Sequence, residues 1–298
     1  MPRPFLIGVA GQSLANLLPS PYKRGMNGDP NRWFGQSLDT LTYNRNQRVW
    51  SILVTIFGDL ARTPGDRISG AVLSRLTEPM GIKPEAMRVA LHRLRGDGWL
   101  TSERVGRASH YSLTASGLEQ SDAASPRIYG SDPTLSQQWH VVVSEPTRGT
   151  ARSGADKSWH ARGYIIAAPG CYLGQGPAPA DLGDHLVLTG TLSDIPLWLR
   201  ETMAPEEIAQ AYRDLETALD GFFDIMQGAP TPSPLQAAIL RVVIVHNWRR
   251  ALLAHPPLPA AFFPSDWRGF TCRDKVMAAL DMLPQPDLQS LEDTAAAA

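Results

Sequence analysis

The side chains best placed to do chemistry in this sequence are cations spaced to meet a polyanion. Between Lys83 and Leu113 the chain reads KPEAMRVALHRLRGDGWLTSERVGRASHYSL. Arg88, His92 and Arg95 recur at i, i+4 and i+7, with Arg93 beside them and Lys83 just ahead. That spacing lines one side of a helix. Further on, Arg104, Arg107, Ser109 and His110 surround Gly106. An arginine guanidinium is a planar fork of donors that matches a guanine edge or a phosphate in bidentate fashion. The chemistry implied is recognition of duplex DNA, with no bond made or broken.

The elements that must hold these cations follow from the apolar pattern. Met87, Ala90, Leu91 and Leu94 make a stripe at i, i+3, i+4 and i+7 opposite the arginines. Pro84 suits the first helical position, Glu85 the first turn, and Gly96 with Gly98 stops the helix. Two extended runs, Trp99–Val105 and Ser109–Leu113, flank Gly106-Arg107-Ala108 and predict a hairpin. Upstream, Val49, Ile52, Leu53, Ile56, Phe57 and Leu60 predict a first helix over 45–60. Ile68, Val72, Leu73 and Leu76 predict a second over 68–80, with Gly81 turning the chain. A cationic helix face is ordinarily just a solvated face. What raises this one above that reading is the order: two helices, a tight turn, a striped basic helix and a basic hairpin. That is the order of a winged helix-turn-helix. Arg88, His92 and Arg93 are expected at base edges in the major groove, and Lys83 and Arg95 on phosphates. Arg104, Arg107, Ser109 and His110 are expected to face outwards from the wing, on the backbone or in the minor groove. Arg93 has a second reading, as a bridge to Asp97 or Glu78. Trp99 and Tyr111 are read as core.

Charge is distributed to match. Residues 43–113 carry 11 Lys+Arg and 6 Asp+Glu, a local +5, which leaves −6 for the rest of a chain whose net charge is −1. Two cysteines, Cys171 and Cys272, without a CxxC, form no disulfide or zinc framework and suit a reducing compartment. No apolar run approaches the roughly 18 residues of a membrane span. The opening MPRPFLIGVAG imitates a signal peptide only in its first residues. A cytoplasmic protein, nucleoid-associated when bound, is expected.

At 298 residues more than one domain is expected. Residues 1–42 read as an extension without period, loosely ordered or lying on another domain, with Met26 as an alternative start. Residues 43–117 are the winged helix, where Thr114-Ala115-Ser116-Gly117 could cap a short linker helix, and 118–136 a polar linker. Residues 137–228 form a small α+β sandwich, with strands at Trp139, Gly163, Cys171 and His185 and a helix over 205–226. Residues 229–285 are helical, and 286–298 a disordered tail.

The sequence resembles the PaaX-like family of bacterial transcriptional repressors. The resemblance is carried by IFGD (56–59), MGI (80–82), MRVALHRL, DGWL, RVGRASHYSLT and RIYG (127–130). Downstream it continues through HNWRR (246–250), PPLP (256–259) and FPSDWRG (263–269). It departs in having His255-Pro256 for an Asp-Pro, and the polar TRGTARSGADKSWHARG where the family has an arginine- and leucine-rich helix. The resemblance implies an α+β protein: an N-terminal winged helix, a ferredoxin-like middle domain and a helical C-terminal domain. It implies a homodimer on double-stranded operator DNA, released by an acyl-coenzyme A effector, typically phenylacetyl-coenzyme A, with no cofactor. His246, Trp248, Arg249 and Arg250 are then candidates for a cationic, aromatic-lined effector site. The competing reading makes Trp248 and Trp267 packing residues and the arginines solvated.

Enzymatic classes find little support. There is no Walker loop, GxSxG, HExxH or GxGxxG after a strand, and the histidines do not pair at metal spacing. The alternative is a metal-dependent nuclease in a ferredoxin-like domain, with Asp181, Asp184 and Asp194 around the metal. Their Gly/Pro-rich setting favours turns. A third class, an architectural or activating DNA binder, differs by holding DNA in the presence of ligand.

Overall fold

The computed structural model describes residues 31–43, 48–130, 136 and 138–296. Residues 1–30 of the N-terminal extension, Met26 among them, lie outside the described residues. The chain is mixed α and β, with two small antiparallel sheets, and divides into two compact units. One holds residues up to 130 together with 210–254 and 268–298. The other holds 131–209 and 255–267. Among the described residues no helix is long and apolar enough to cross a membrane.

The first unit opens with α1 (Arg32–Leu41) and α2 (Val49–Leu60). The first is a correction to the unperiodic extension: Phe34, Leu38 and Leu41 are buried at helical spacing. In α2, Ile52, Leu53, Ile56, Phe57 and Leu60 are buried as their period requires. The expected second helix divides. Ile68–Ser69 is a short strand, β1, and the Ser69 hydroxyl then caps α3 (Gly70–Thr77) by accepting from the Val72 N–H at 3.2 Å. A 3₁₀ turn over Glu78–Met80 ends at Gly81 in the left-handed region. α4 (Pro84–Gly96) buries Met87, Ala90, Leu91 and Leu94, and β2 (Leu100–Val105) and β3 (Ala108–Leu113) complete a sheet of order β1-β3-β2.

The stretch expected as a linker is α5 (Ala115–Tyr129). Thr114 caps it, accepting from the Gly117 N–H at 3.0 Å, and Pro126, inside the helix near its end, costs one intrahelical hydrogen bond. The later helices of this unit are α8 (Glu206–Met226, bar its first turn), α9 (Pro234–Leu252), α10 (Gly269–Met282) and α11 (Leu288–Ala296). They pack with the N-terminal elements, which corrects the expectation of a separate helical domain over 229–285. The reason lies in α9. It is apolar nearly all round, burying Ala237–Leu240 and Val242–Trp248, and such a helix belongs in the middle of a core.

A polar seam runs along that contact. The Arg241 guanidinium reaches the Asp59 carboxylate at 2.8 and 3.0 Å, and Tyr129 donates to the same carboxylate at 2.6 Å. Thr55 lies 3.2 Å from His246 Nδ1, and Arg249 donates to Ser51 Oγ at 3.1 Å. Each rung steps one turn back along α2 as it steps forward along α9, as antiparallel helices must. The expected disordered tail is α11, held where Glu292 accepts from the Ser69 N–H at 2.8 Å and Arg75 donates to the Thr294 carbonyl.

The second unit is a four-stranded sheet of β4 (Trp139–Val143), β5 (Ile165–Ala168), β6 (Cys171–Gln175) and β7 (Leu186–Gly190), in the order β5-β6-β4-β7. α6 (Gly149–Ala161) joins β4 to β5, and the unit also contains α7 (Leu197–Met203). Most of the polar run TRGTARSGADKSWHARG is therefore a helix. Trp159 supplies the reason, stacking on Tyr172 at 4.9 Å and meeting Tyr164 edge-on at 4.7 Å. Tertiary burial of one large side chain outweighs the poor helix propensity of the glycines and serines.

Candidate nucleic-acid interface

The buried stripe of α4 fixes which side chains point away from the protein. At 3.6 residues per turn, Glu85, Val89 and His92 form the crest opposite the stripe, with Arg88 and Arg95 on one flank and Arg93 on the other. All six are exposed, as is Lys83 at the N-cap. Arg88 pairs with Glu85 at 3.2 Å. Arg93 pairs with Asp97 at 3.6 Å and lies 5.9 Å from the Trp50 ring centroid. The structure thus gives Arg93 its bridging partner in Asp97. Exposed pairs of this kind contribute little, roughly 0–1 kcal/mol, and exchange readily for a phosphate or a base. Glu85 and Val89 are crest residues that the search for cations passed over. The signal that finds them is the helical wheel centred on the stripe.

The hairpin presents a second cationic surface. Arg104 faces Ser109 across the ladder and Val105 faces Ala108, so Gly106, in the left-handed region, and Arg107 make the tip. Arg104, Arg107 and Ser109 are exposed. His110 corrects the expectation. Successive residues of a strand point to opposite faces, which separates it from Arg104 and Ser109. It sits opposite Glu103 and Ser69, half-buried, with Nδ1 enclosed and without a hydrogen-bond partner. Arg67, paired with Glu103 beside the hairpin, is a cation the sequence reading left out. Trp99 is buried, and its N–H bonds the Leu94 carbonyl at 2.9 Å, fastening the hairpin to the end of α4.

The four effector candidates do not converge on an aromatic-lined cationic site. Residues two apart on a helix do not share a face, so Trp248 points away from His246. Trp248 is a core residue whose Nε1–H donates to the Ile128 carbonyl at 2.9 Å. His246 is buried, and burial first, then the charges of Arg249 and Arg250, pushes its pKa down to about 3. The Thr55 hydroxyl lies 3.0 Å from the Ser51 carbonyl and 3.2 Å from His246 Nδ1, so it bridges the two. Burial also lowers the Arg249 pKa, to about 10. Arg250 is half-buried. Trp267 lies in the second unit, stacked on Phe263 at 4.5 Å.

In the second unit, Asp181 and Asp184 lie in the loop between β6 and β7, and Asp194 in the segment before α7. Among the described residues no group of three or more His, Cys, Asp or Glu side chains is placed to hold a metal ion. His140 is satisfied on both nitrogens, by the Gly176 carbonyl and the Tyr164 hydroxyl, each at 2.9 Å.

Comparison with known proteins adds independent information. A family model described as PaaX-like protein matches residues 48–117, and one described as PaaX-like protein C-terminal domain matches residues 204–287. Transcriptional repressor PaaX of Escherichia coli K12 is 26% identical over 241 residues, covering 75% of this chain and 76% of that protein. Among solved structures, an uncharacterized protein from Mycobacterium tuberculosis is similar with a TM-score of 0.49 and 19% identity, over 83% of this chain and 97% of that one.

Proposed function

Because this chain belongs to the PaaX-like protein family, we propose that it is a sequence-specific DNA-binding transcriptional repressor whose α4 reads the major groove. The observation that carries the reading is the exposed ridge of α4, cationic on both flanks and held against the core by a wholly apolar stripe. A winged helix-turn-helix in the first unit, with Arg104 and Arg107 on its wing, is the reading supported by the order α2, β1, α3, α4, β2, β3. Arg88 and His92 meet base edges, while Lys83, Arg95 and the wing arginines meet phosphates. We read the second unit as ferredoxin-like, which its strand order supports, with α6 supplying one of that fold's two crossover helices.

Two copies related by a two-fold axis place two α4 helices one DNA turn apart, about 34–36 Å, or a multiple of that. The operator belongs to an aromatic-acid catabolic operon of the phenylacetate type. An acyl-coenzyme A thioester releases the cytoplasmic protein from it. A hundredfold release needs about 2.7 kcal/mol of coupling between effector and DNA.

The test is a fluorescence-anisotropy titration of the full chain on the DNA upstream of its own gene, with and without phenylacetyl-coenzyme A. Tight, salt-sensitive binding that the thioester reverses supports the whole reading. Binding that the thioester leaves untouched removes the effector and keeps the regulator. Indifference to sequence removes the regulator.

A further inference from the structure

Val89 is the most exposed large apolar side chain among the described residues, at 71%. It stands on the crest of α4, one turn after Glu85 and one turn before His92, with Arg88 and Arg93 on the flanks. Nothing in the folding of the chain asks for a valine there. A β-branched residue is a weaker helix former than alanine, and this one leaves its methyl groups in water. Of the residues one turn away, Ala86 is small and exposed, while Glu85, His92 and Arg93 are longer and polar. A short apolar side chain among long polar ones can meet a surface that the cations straddle.

We propose that Val89 is a specificity-determining residue whose methyl groups pack on the C5 methyl of a thymine in the operator. The inference rests on the reading of α4 as the helix that enters the major groove. On the floor of that groove the thymine methyl is the one apolar feature, and an aliphatic side chain is the partner that recognises it. Arg88 and Arg93 are too long and too polar for that task and are placed to reach guanine edges or phosphates on either side. Val89 lies in the N-terminal half of α4, the half that meets base edges in helix-turn-helix docking. The apolar contact supplies no charge, so it discriminates among sequences without adding to salt-dependent affinity.

Replacing single thymidines by deoxyuridine removes only the C5 methyl and provides the test. The full chain is first used to select a consensus duplex from a random-sequence library. Each consensus thymidine is then replaced in turn, and binding of the wild type and Val89→Ser is measured by anisotropy. For the wild type, one position per half-site weakens by about four-fold on deoxyuridine, the worth of roughly 0.8 kcal/mol for one buried methyl group. Val89→Ser, which loses the contact in both half-sites, binds the thymidine duplex about sixteen-fold more weakly, is indifferent to deoxyuridine at that position, and keeps the wild-type salt slope. Val89→Thr, which retains one γ-methyl, falls between them. A wild type indifferent to deoxyuridine everywhere, or a Val89→Ser variant with the full deoxyuridine penalty, overturns the role of Val89 and leaves DNA recognition standing. A selection that yields no consensus overturns recognition by α4 and the role of Val89 together.

Discussion

The Asp59–Arg241 pair at one end of the α2–α9 seam sets a quantitative expectation. The two side chains are 1% and 11% exposed, bonded through two N–H groups, and Asp59 also receives the Tyr129 hydroxyl. Removing Arg241 leaves a carboxylate in a dry interior with only a phenol to solvate it. Truncating one member of such a pair costs about 3–5 kcal/mol, whereas replacing both with apolar groups of similar volume is close to neutral. Arg241→Met is therefore expected to lower the urea midpoint sharply. It should also reduce the melting temperature of the first unit by roughly 10 °C, at about 2–4 °C per kcal/mol for this size. Asp59→Leu on its own strands the guanidinium and costs a comparable amount, softened by the Leu283 carbonyl that Arg241 already meets at 3.0 Å. The double variant should recover most of the loss. Circular dichroism melts and urea titrations of the four proteins give the coupling directly. If Arg241→Met costs under about 1 kcal/mol, or the double variant is as unstable as the two losses summed, Asp59 and Arg241 are not the buried, mutually dependent pair that their geometry implies.

Other expectations are as direct. His246 has a folded pKa of about 3 against 6.5 unfolded, so its stabilisation is complete above pH 6.5 and is lost as pH falls from there towards 3. Urea titrations at pH 7, 6 and 5 should show an acid-side loss of up to roughly 1.4 kcal/mol per pH unit from this group. His246→Gln should flatten that arm, and an unchanged arm would point to carboxylates instead. Gly117→Ala places a Cβ 2.3 Å from the Trp99 carbonyl oxygen, at the start of α5. Thermal melts should show it to be among the most damaging one-methyl changes in the chain, with a cost of at least the roughly 1–3 kcal/mol typical of overpacking. Wild-type stability for that variant would mean α5 starts differently. Arg93→Ala removes an exposed pair and should alter stability by at most about 1 kcal/mol. A larger loss would make Arg93 a structural brace of α4.

What was legible in the sequence was local. The stripe of α4, its proline start and the glycines after it are short-range signals, and the helix and hairpin lie where those signals place them. The seam was not legible. Ser51, Thr55 and Asp59 do recur every four residues on α2, but only the fold shows that α9 supplies their partners nearly two hundred residues later. For the same reason His246 and Arg249 suggested a ligand site, when the fold spends both on packing against α2. α6 and α11 are missed because their composition argues for loops, and α5 runs well past the short helix that the cap at Thr114 suggests. Each is held by something distant: α5 by Trp248 on the Ile128 carbonyl, α6 by the Trp159–Tyr172 stack, α11 by Glu292 on Ser69. His110 does not share a face with Arg104 and Ser109, a separation that strand parity shows and charge alone does not.

The central claim is that α4 and the hairpin hold DNA in different ways, and one comparison tests it most directly. Operator and scrambled duplexes are titrated with wild type, Arg88→Ala and Arg107→Ala over a range of salt. Arg88→Ala is expected to cost about 1–3 kcal/mol on the operator and to relax preference at one base position. Arg107→Ala is expected to weaken operator and scrambled DNA alike and to flatten the salt slope by about one. Operator affinity, preference and salt slope unchanged in both variants would contradict the account, because Arg88 and Arg107 are the residues it assigns to base readout and to backbone grip.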